Sequence, residues 1–143
     1  MKILAAASLL FLILSSLGCS VLGLGGTPKA KIVKLSLTMN PHCLDGNGPS
    51  GAGTIALTPP PQSSSGTCAL TGDNPVTCDA GYTQGAIVTL TAAPDPRPGP
   101  DGKPIATFEA FDGIDGCAKG ATSCHLTMDG DKQVTAVFCS RVF

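Results

Sequence analysis

The stretch that decides the fold runs from Gly81 to Phe138, opening GYTQGAIVTLTAAP (81–94) and closing CHLTMDGDKQVTAVF (124–138). Within it, Ala86 to Ala92 (AIVTLTA) is dominated by β-branched and apolar residues, a composition suited to a pleated, half-buried surface. Ile105 to Phe111 (IATFEAF) reads as a returning strand, in which regular alternation would put Phe108 on one face and Phe111 on the other and a bulge would break that pattern, so the faces stay unassigned. His125 to Met128 and Gln133 to Phe138 read as a final hairpin turning at Asp129-Gly130-Asp131. Between these runs lie a proline-rich loop (PDPRPGPDGKP, 94–104), which cannot continue a sheet ladder, and a tight loop bounded by Cys117 and Cys124.

Upstream, Lys31 to Met39 (KIVKLSLTM) alternates apolar Val33, Leu35, Leu37 and Met39 with polar residues, the period of a half-buried strand. Asn40-Pro41 stops it, and 40–53 is turn chemistry throughout, with Cys43 inside. Thr54 to Thr58 (TIALT) is a second short strand, ended by Pro59-Pro60-Pro61. Cys68 to Cys78 brackets a loop around Gly72-Asp73-Asn74-Pro75, a strong turn. No helical periodicity of any length occurs. The expectation is an all-β, disulfide-stabilised antiparallel sheet domain of about six strands.

At 143 residues the chain has room for one domain. Charged residues are 13% and the net charge is -1, which argues against a nucleic-acid partner, since displacing phosphate counterions needs a basic surface. There is no Trp, and beyond the first apolar run the aromatics are Tyr82, Phe108, Phe111, Phe138 and Phe143. So few large side chains make a thin core, which crosslinks would reinforce. Seven cysteines, 18 glycines and 12 prolines fit an exported, loop-rich, stapled domain.

The N-terminus reads as an export signal: Lys2, then apolar Ile3 to Leu14, too short for a comfortable membrane span, then small Ser15, Ser16 and Gly18. Leu17-Gly18-Cys19-Ser20 resembles a bacterial lipobox, with Ser16 where that pattern prefers Leu. In that reading Cys19 is lipidated and becomes the mature N-terminus; Ser16-x-Gly18 also suits ordinary signal peptidase. Parity favours lipidation, because removing Cys19 from seven cysteines leaves an even set for disulfides. The domain division is then 1–18 signal peptide, 19–30 lipid-anchored Gly-rich tether, and 31–143 β-domain.

The run GAIVTLTAAP, then TFEAFDGIDGC, then SCHLTMDGDKQVTAVF resembles the divergent bacterial repeat related to the internalin B-repeat. Members read G-x-x-V-T-L-T-A-x-P, then G-x-x-F-x-G-W-x-G, then a short Cys-bounded loop, then V-T-M-D-x-x-K-x-V-T-A-x-F. The resemblance covers about Gly51 to Phe138 in a single copy and extends to the Cys68–Cys78 bracket. Phe111 stands in the place of the family's Trp, and Ala110 in the place of the Gly before it. What the resemblance implies is a small β-domain, possibly β-grasp-like or a compact sheet, on exported and surface proteins. It implies no chemistry.

Chain neighbours suggest Cys68 with Cys78 and Cys117 with Cys124, leaving Cys43 with Cys139, one of many connectivities that six cysteines allow. A zinc site using His42-Cys43 and Cys124-His125 lacks the close C-x-x-C spacing that sets tetrahedral geometry, and no metal is expected there. Asp112, Asp115, Asp129 and Asp131 are calcium candidates by type; the plainer reading makes them turn formers bonding nearby backbone N–H groups. Catalysis finds no motif around His42 or His125, and Glu109, the only glutamate, reads as an outward polar strand residue. No cofactor and no catalytic residue are expected.

The functional expectation is a bacterial cell-envelope lipoprotein, at the outer membrane or cell surface. Its non-catalytic β-domain would bind or present, holding the membrane through its lipid and meeting an envelope protein or surface ligand through loops 44–53, 59–67 or 95–104. The alternatives are a secreted disulfide-rich inhibitor or toxin-like protein, and a purely structural envelope component.

Overall fold

Val33, Leu35, Leu37 and Met39 are all at most 3% exposed, and their alternation with polar residues makes β1 (Ile32–Asn40) the spine of one sheet. The computed structural model describes residues 29–44 and 50–140. These contain seven further strands: β2 (Gly53–Thr58), β3 (Thr67–Leu70), β4 (Val76–Thr83), β5 (Ile87–Pro94), β6 (Ala106–Asp112), β7 (Ser123–Thr127) and β8 (Lys132–Ser140). They form two four-stranded sheets, ordered β4-β1-β8-β6 and β3-β2-β5-β7. The second is wholly antiparallel, whereas β1 and β8 run parallel, with Leu37 opposite Val134. One core lies between the sheets, its fully buried side chains including Phe138, Leu35, Leu37, Met39, Ile55, Leu90 and Met128.

The fold is all-β, as its alternating runs predict, but with eight strands in two sheets. No helix occurs among the described residues, so a β-grasp arrangement, in which a sheet packs on a helix, does not describe it. The added strands are β3 and β4, which occupy the Cys68–Cys78 segment and its sequel. Cys68, Leu70, Ala80 and Tyr82 point inward there, a burial pattern weakened in sequence by exposed Asp79 and Asp73. Tyr82 carries the polar handle of the core: its hydroxyl donates to the Pro59 carbonyl at 3.1 Å, and burial raises its pKa.

One further expectation is corrected, and the open question of the β6 faces is answered by a bulge. β7 and β8 are not a hairpin: β7 pairs with β5 in one sheet while β8 pairs with β1 and β6 in the other. The turn at 128–131 therefore crosses between layers, fastened by reciprocal bonds from Gly85 N–H to Met128 O and from Met128 N–H to Ala86 O, both 2.8 Å. Phe108 and Phe111 do not face opposite ways, because the β6–β8 register shifts between Phe108 and Ala110. Glu109 is the extra residue of that bulge, and the two rings come to lie side by side, 4.6 Å between centroids.

The sides of the sandwich are closed differently. Cys68–Cys78 joins the edge strands β3 and β4 across the two layers. On the other side 113–122 runs from the end of β6 to the start of β7. It bonds β6 through Gly120 N–H to Glu109 O and β5 through Ala92 N–H to Thr122 O, and Cys117–Cys124 ties it to β7. Such covering removes free edges that would otherwise template pairing with other chains. Three disulfides in one small domain mark an exported protein.

Candidate functional site

The strand directions sort the loops onto two ends. The chain enters β1 at Ile32, opposite Thr83, and the turns at 59–66, 84–86 and 128–131 lie at this end. At the far end lie residues 41–44 and 50–52 after β1, the 71–75 turn, the 95–105 loop and the end of β8. Two of the three loops expected to make contacts are thus neighbours: Asp95 N–H donates to Ala52 O at 3.0 Å, and Gly53 pairs with Pro94. The third, 59–67, is on the opposite end, pinned to β4 by Gln62 N–H on Gly81 O.

The 95–105 loop is a small folded unit, not a slack connector. Pro98 and Pro104 form a bridge, Gly99 N–H donates to Lys103 O at 2.7 Å and Ile105 N–H to Arg97 O at 2.9 Å. At its base Asp95 holds Arg97 through both backbone and guanidinium. The Arg97 backbone N–H, and after it the guanidinium, hold the Asp95 carboxyl below the usual carboxylate range.

On the outer face of β8, Cys139 is joined to Cys43, with Cα atoms 5.0 Å apart. The chain returns over this staple so closely that a Cβ on Gly51 would lie 2.6 Å from the Phe138 carbonyl carbon, and only glycine fits. Beside the staple the bulge lays Glu109 on this same outer face. Its Oε2 accepts the Leu44 N–H at 2.9 Å and lies 3.2 Å from Cys139 Sγ, and its Oε1 meets Lys119 Nζ at 2.9 Å. The Leu44 N–H, and after it Lys119, hold this carboxyl below its ordinary value. Glu109 thus lies on the outer side of its sheet, as its polarity suggests, but its side chain is only 19% exposed, because the bulge turns it over the disulfide. Its signal in the sequence is its isolation, the chain's only glutamate, set between Phe108 and Ala110-Phe111.

Donor atoms of Cys43, Glu109 and Cys139 lie within 4.8 Å of one another, and theirs is the one such His, Cys, Asp or Glu group among the described residues. The calcium candidates are not gathered. Asp112 accepts the Gly113 N–H at 3.0 Å, Asp131 accepts the Lys34 N–H at 2.8 Å, and Asp129 pairs with Lys132 at 2.6 Å. Asp115 lies in an open cleft of about 340 Å³ beside Cys117–Cys124, which His125 also lines. His125 Nδ1 meets Thr89 Oγ1 at 2.9 Å, while exposed His42 donates its N–H to Asn40 Oδ1 in a turn at 3.0 Å. Cys19 lies outside the described residues. No family model matches the chain, and neither a curated protein nor a solved structure matches it.

Proposed function

We propose that this chain is a cell-envelope lipoprotein, anchored through Cys19, whose stapled β-sandwich presents its far-end loops for binding and performs no chemistry. The observation that carries the reading is the polarity of the sandwich. The chain enters at one end, and residues 41–44, 50–52 and 95–105 sit together at the other. A nine-residue strand such as β1 is about 30 Å long. Loops held that far from a bilayer by a rigid scaffold meet envelope or surface partners, whereas the 59–66 turn faces the anchor. The resemblance to the bacterial repeat of exported surface proteins supports the same reading.

Mass spectrometry of the mature N-terminus tests the anchor: a diacylated Cys19 is expected, and an unmodified Cys19 or cleavage elsewhere overturns it. Pull-down from native membranes tests the presenting end, because a partner should be lost when the 95–105 loop is replaced by a short Gly-Ser turn and kept when 62–65 is altered. Three staples equally suit a secreted inhibitor, and a soluble mature form that captures a hydrolase would establish that reading instead.

A further inference from the structure

A carboxylate oxygen 3.2 Å from a disulfide sulfur is an arrangement that the oxidised state does not use. A bonded sulfur has no proton to donate, yet the Glu109 carboxylate is held against it by the Leu44 N–H at 2.9 Å and Lys119 Nζ at 2.9 Å. The same three groups become a donor set once the staple opens. In tetrahedral zinc, with metal–sulfur bonds of about 2.3 Å and metal–oxygen bonds of about 2.0 Å, donor atoms are separated by roughly 3.5 to 3.8 Å. The Cys139–Glu109 separation is close to that, and all three donors already lie within 4.8 Å. Only Cys43 must withdraw, and it sits on the segment between β1 and β2, not in a strand.

We propose that reduction of Cys43–Cys139 converts this staple into a Cys-Cys-Glu site for a soft divalent cation such as Zn²⁺, with Glu109 as the oxygen ligand. The steps balance with a dithiol as reductant. Its thiolate attacks Cys43 Sγ, which belongs to the more exposed of the two residues, and the S–S bond breaks, so that Cys139 leaves as a thiolate and takes a proton. The reductant's second thiol displaces Cys43 from the mixed disulfide, which leaves two protein thiols and a reductant disulfide. Zinc then releases both thiol protons to solvent as two Zn–S bonds and one Zn–O bond form, with water in the fourth position. This site is built by contacts between distant segments, which is why close cysteine spacing does not announce it. It stands independently of the lipoprotein reading.

The test uses the whole chain with Cys19→Ser, which removes an unrelated thiol. The protein is reduced with a dithiol, desalted anaerobically and titrated with Zn²⁺ against a chromophoric chelator. One zinc per reduced chain is expected and none for the oxidised chain. Cys43→Ser abolishes binding, Cys117→Ser/Cys124→Ser leaves it unchanged, and Glu109→Gln weakens it by at least about tenfold. A second readout does not require the reduced variants to stay folded. In a glutathione redox buffer, zinc at a hundred times its dissociation constant shifts the dithiol–disulfide ratio of Cys43–Cys139 about a hundredfold toward dithiol. Alkylation and peptide mass spectrometry read that ratio, and the shift is reduced in Glu109→Gln. No zinc uptake by the reduced chain, or uptake and redox shift indifferent to Glu109→Gln, overturns the proposal.

Discussion

Phe108 and Phe111 lie three positions apart in one strand and still place their rings on the same side, 4.6 Å apart and tilted by 53°. A regular strand would separate them to opposite faces. The single extra residue Glu109 does two things at once: it brings the Phe108 and Phe111 rings together, with the Phe138 ring 5.3 Å from that of Phe108, and turns its own carboxylate onto the Cys43–Cys139 staple. In a chain without Trp, these three rings make the aromatic ring contacts found among the described residues.

Phe138 is fully buried and Phe108 only partly so. Phe138→Ala should therefore cost about 3 to 5 kcal/mol and Phe108→Ala clearly less. Urea unfolding followed by far-ultraviolet circular dichroism measures both, and equal losses would contradict the packing described.

Gly51 and Gly72 make a matched pair. A methyl on Gly51 meets backbone atoms of Phe138 and Cys139 at 2.6 to 2.7 Å, while one on Gly72 meets nothing within 4 Å. Gly51→Ala should destabilise by about 1 to 3 kcal/mol, the usual range for overpacking. Gly72→Ala should change the melting temperature little.

The two kinds of staple differ in the loop they close, 96 residues of separation for Cys43–Cys139 against 7 for Cys117–Cys124. The chain-entropy argument gives about 4 to 5 kcal/mol for the first and about 2 to 3 for the second. Thermal melts without reductant should show Cys43→Ala losing more than Cys117→Ala, and equal losses would contradict this ordering.

Glu109 links stability to pH. Its carboxyl is held below the ordinary 4.5, first by the Leu44 N–H and then by Lys119. A depressed folded value means that its stabilising contribution is complete above the unfolded value and fades as pH falls through the folded one. The melting-temperature gap between wild type and Glu109→Gln should thus be widest at neutral pH and close on acidification below about pH 4. A gap unchanged across that range would show that the ionised carboxylate is not what matters. Comparing against the Gln variant removes the parallel acid titrations of Asp79, held low first by Lys34, and Asp129, held low first by Lys132.

Local alternation carried most of the fold. Val33 to Met39, Ile55 to Leu57 and Val88 to Ala92 announce their strands because one face is wholly apolar. β3 and β4 were obscured because turn residues, a cysteine bracket and short inward residues such as Ala80 dilute the period. The split of β7 and β8 between sheets is invisible locally, since a turn such as Asp129-Gly130-Asp131 serves a hairpin and an interlayer crossing alike. The Glu109 cluster was legible only as an odd acid among aromatics. Its meaning depends on Leu44, Lys119 and Cys139, which no spacing rule brings together.

The parallel pairing of β1 with β8, closed by Cys43–Cys139, has a mechanical consequence. The first and last of the described strands lie side by side, and a pull on the chain entering β1 against the chain leaving β8 loads their hydrogen bonds in shear. The disulfide also offers that load a covalent path, in at Ile32, along β1 to Cys43, across to Cys139 and out. This path is already nearly straight, about 40 Å of extended chain. Everything from Leu44 to Phe138 hangs from it as a closed loop that tension does not reach. While that bond holds, a pull between the chain entering β1 and the chain leaving β8 stretches the domain hardly at all and keeps both sheets intact.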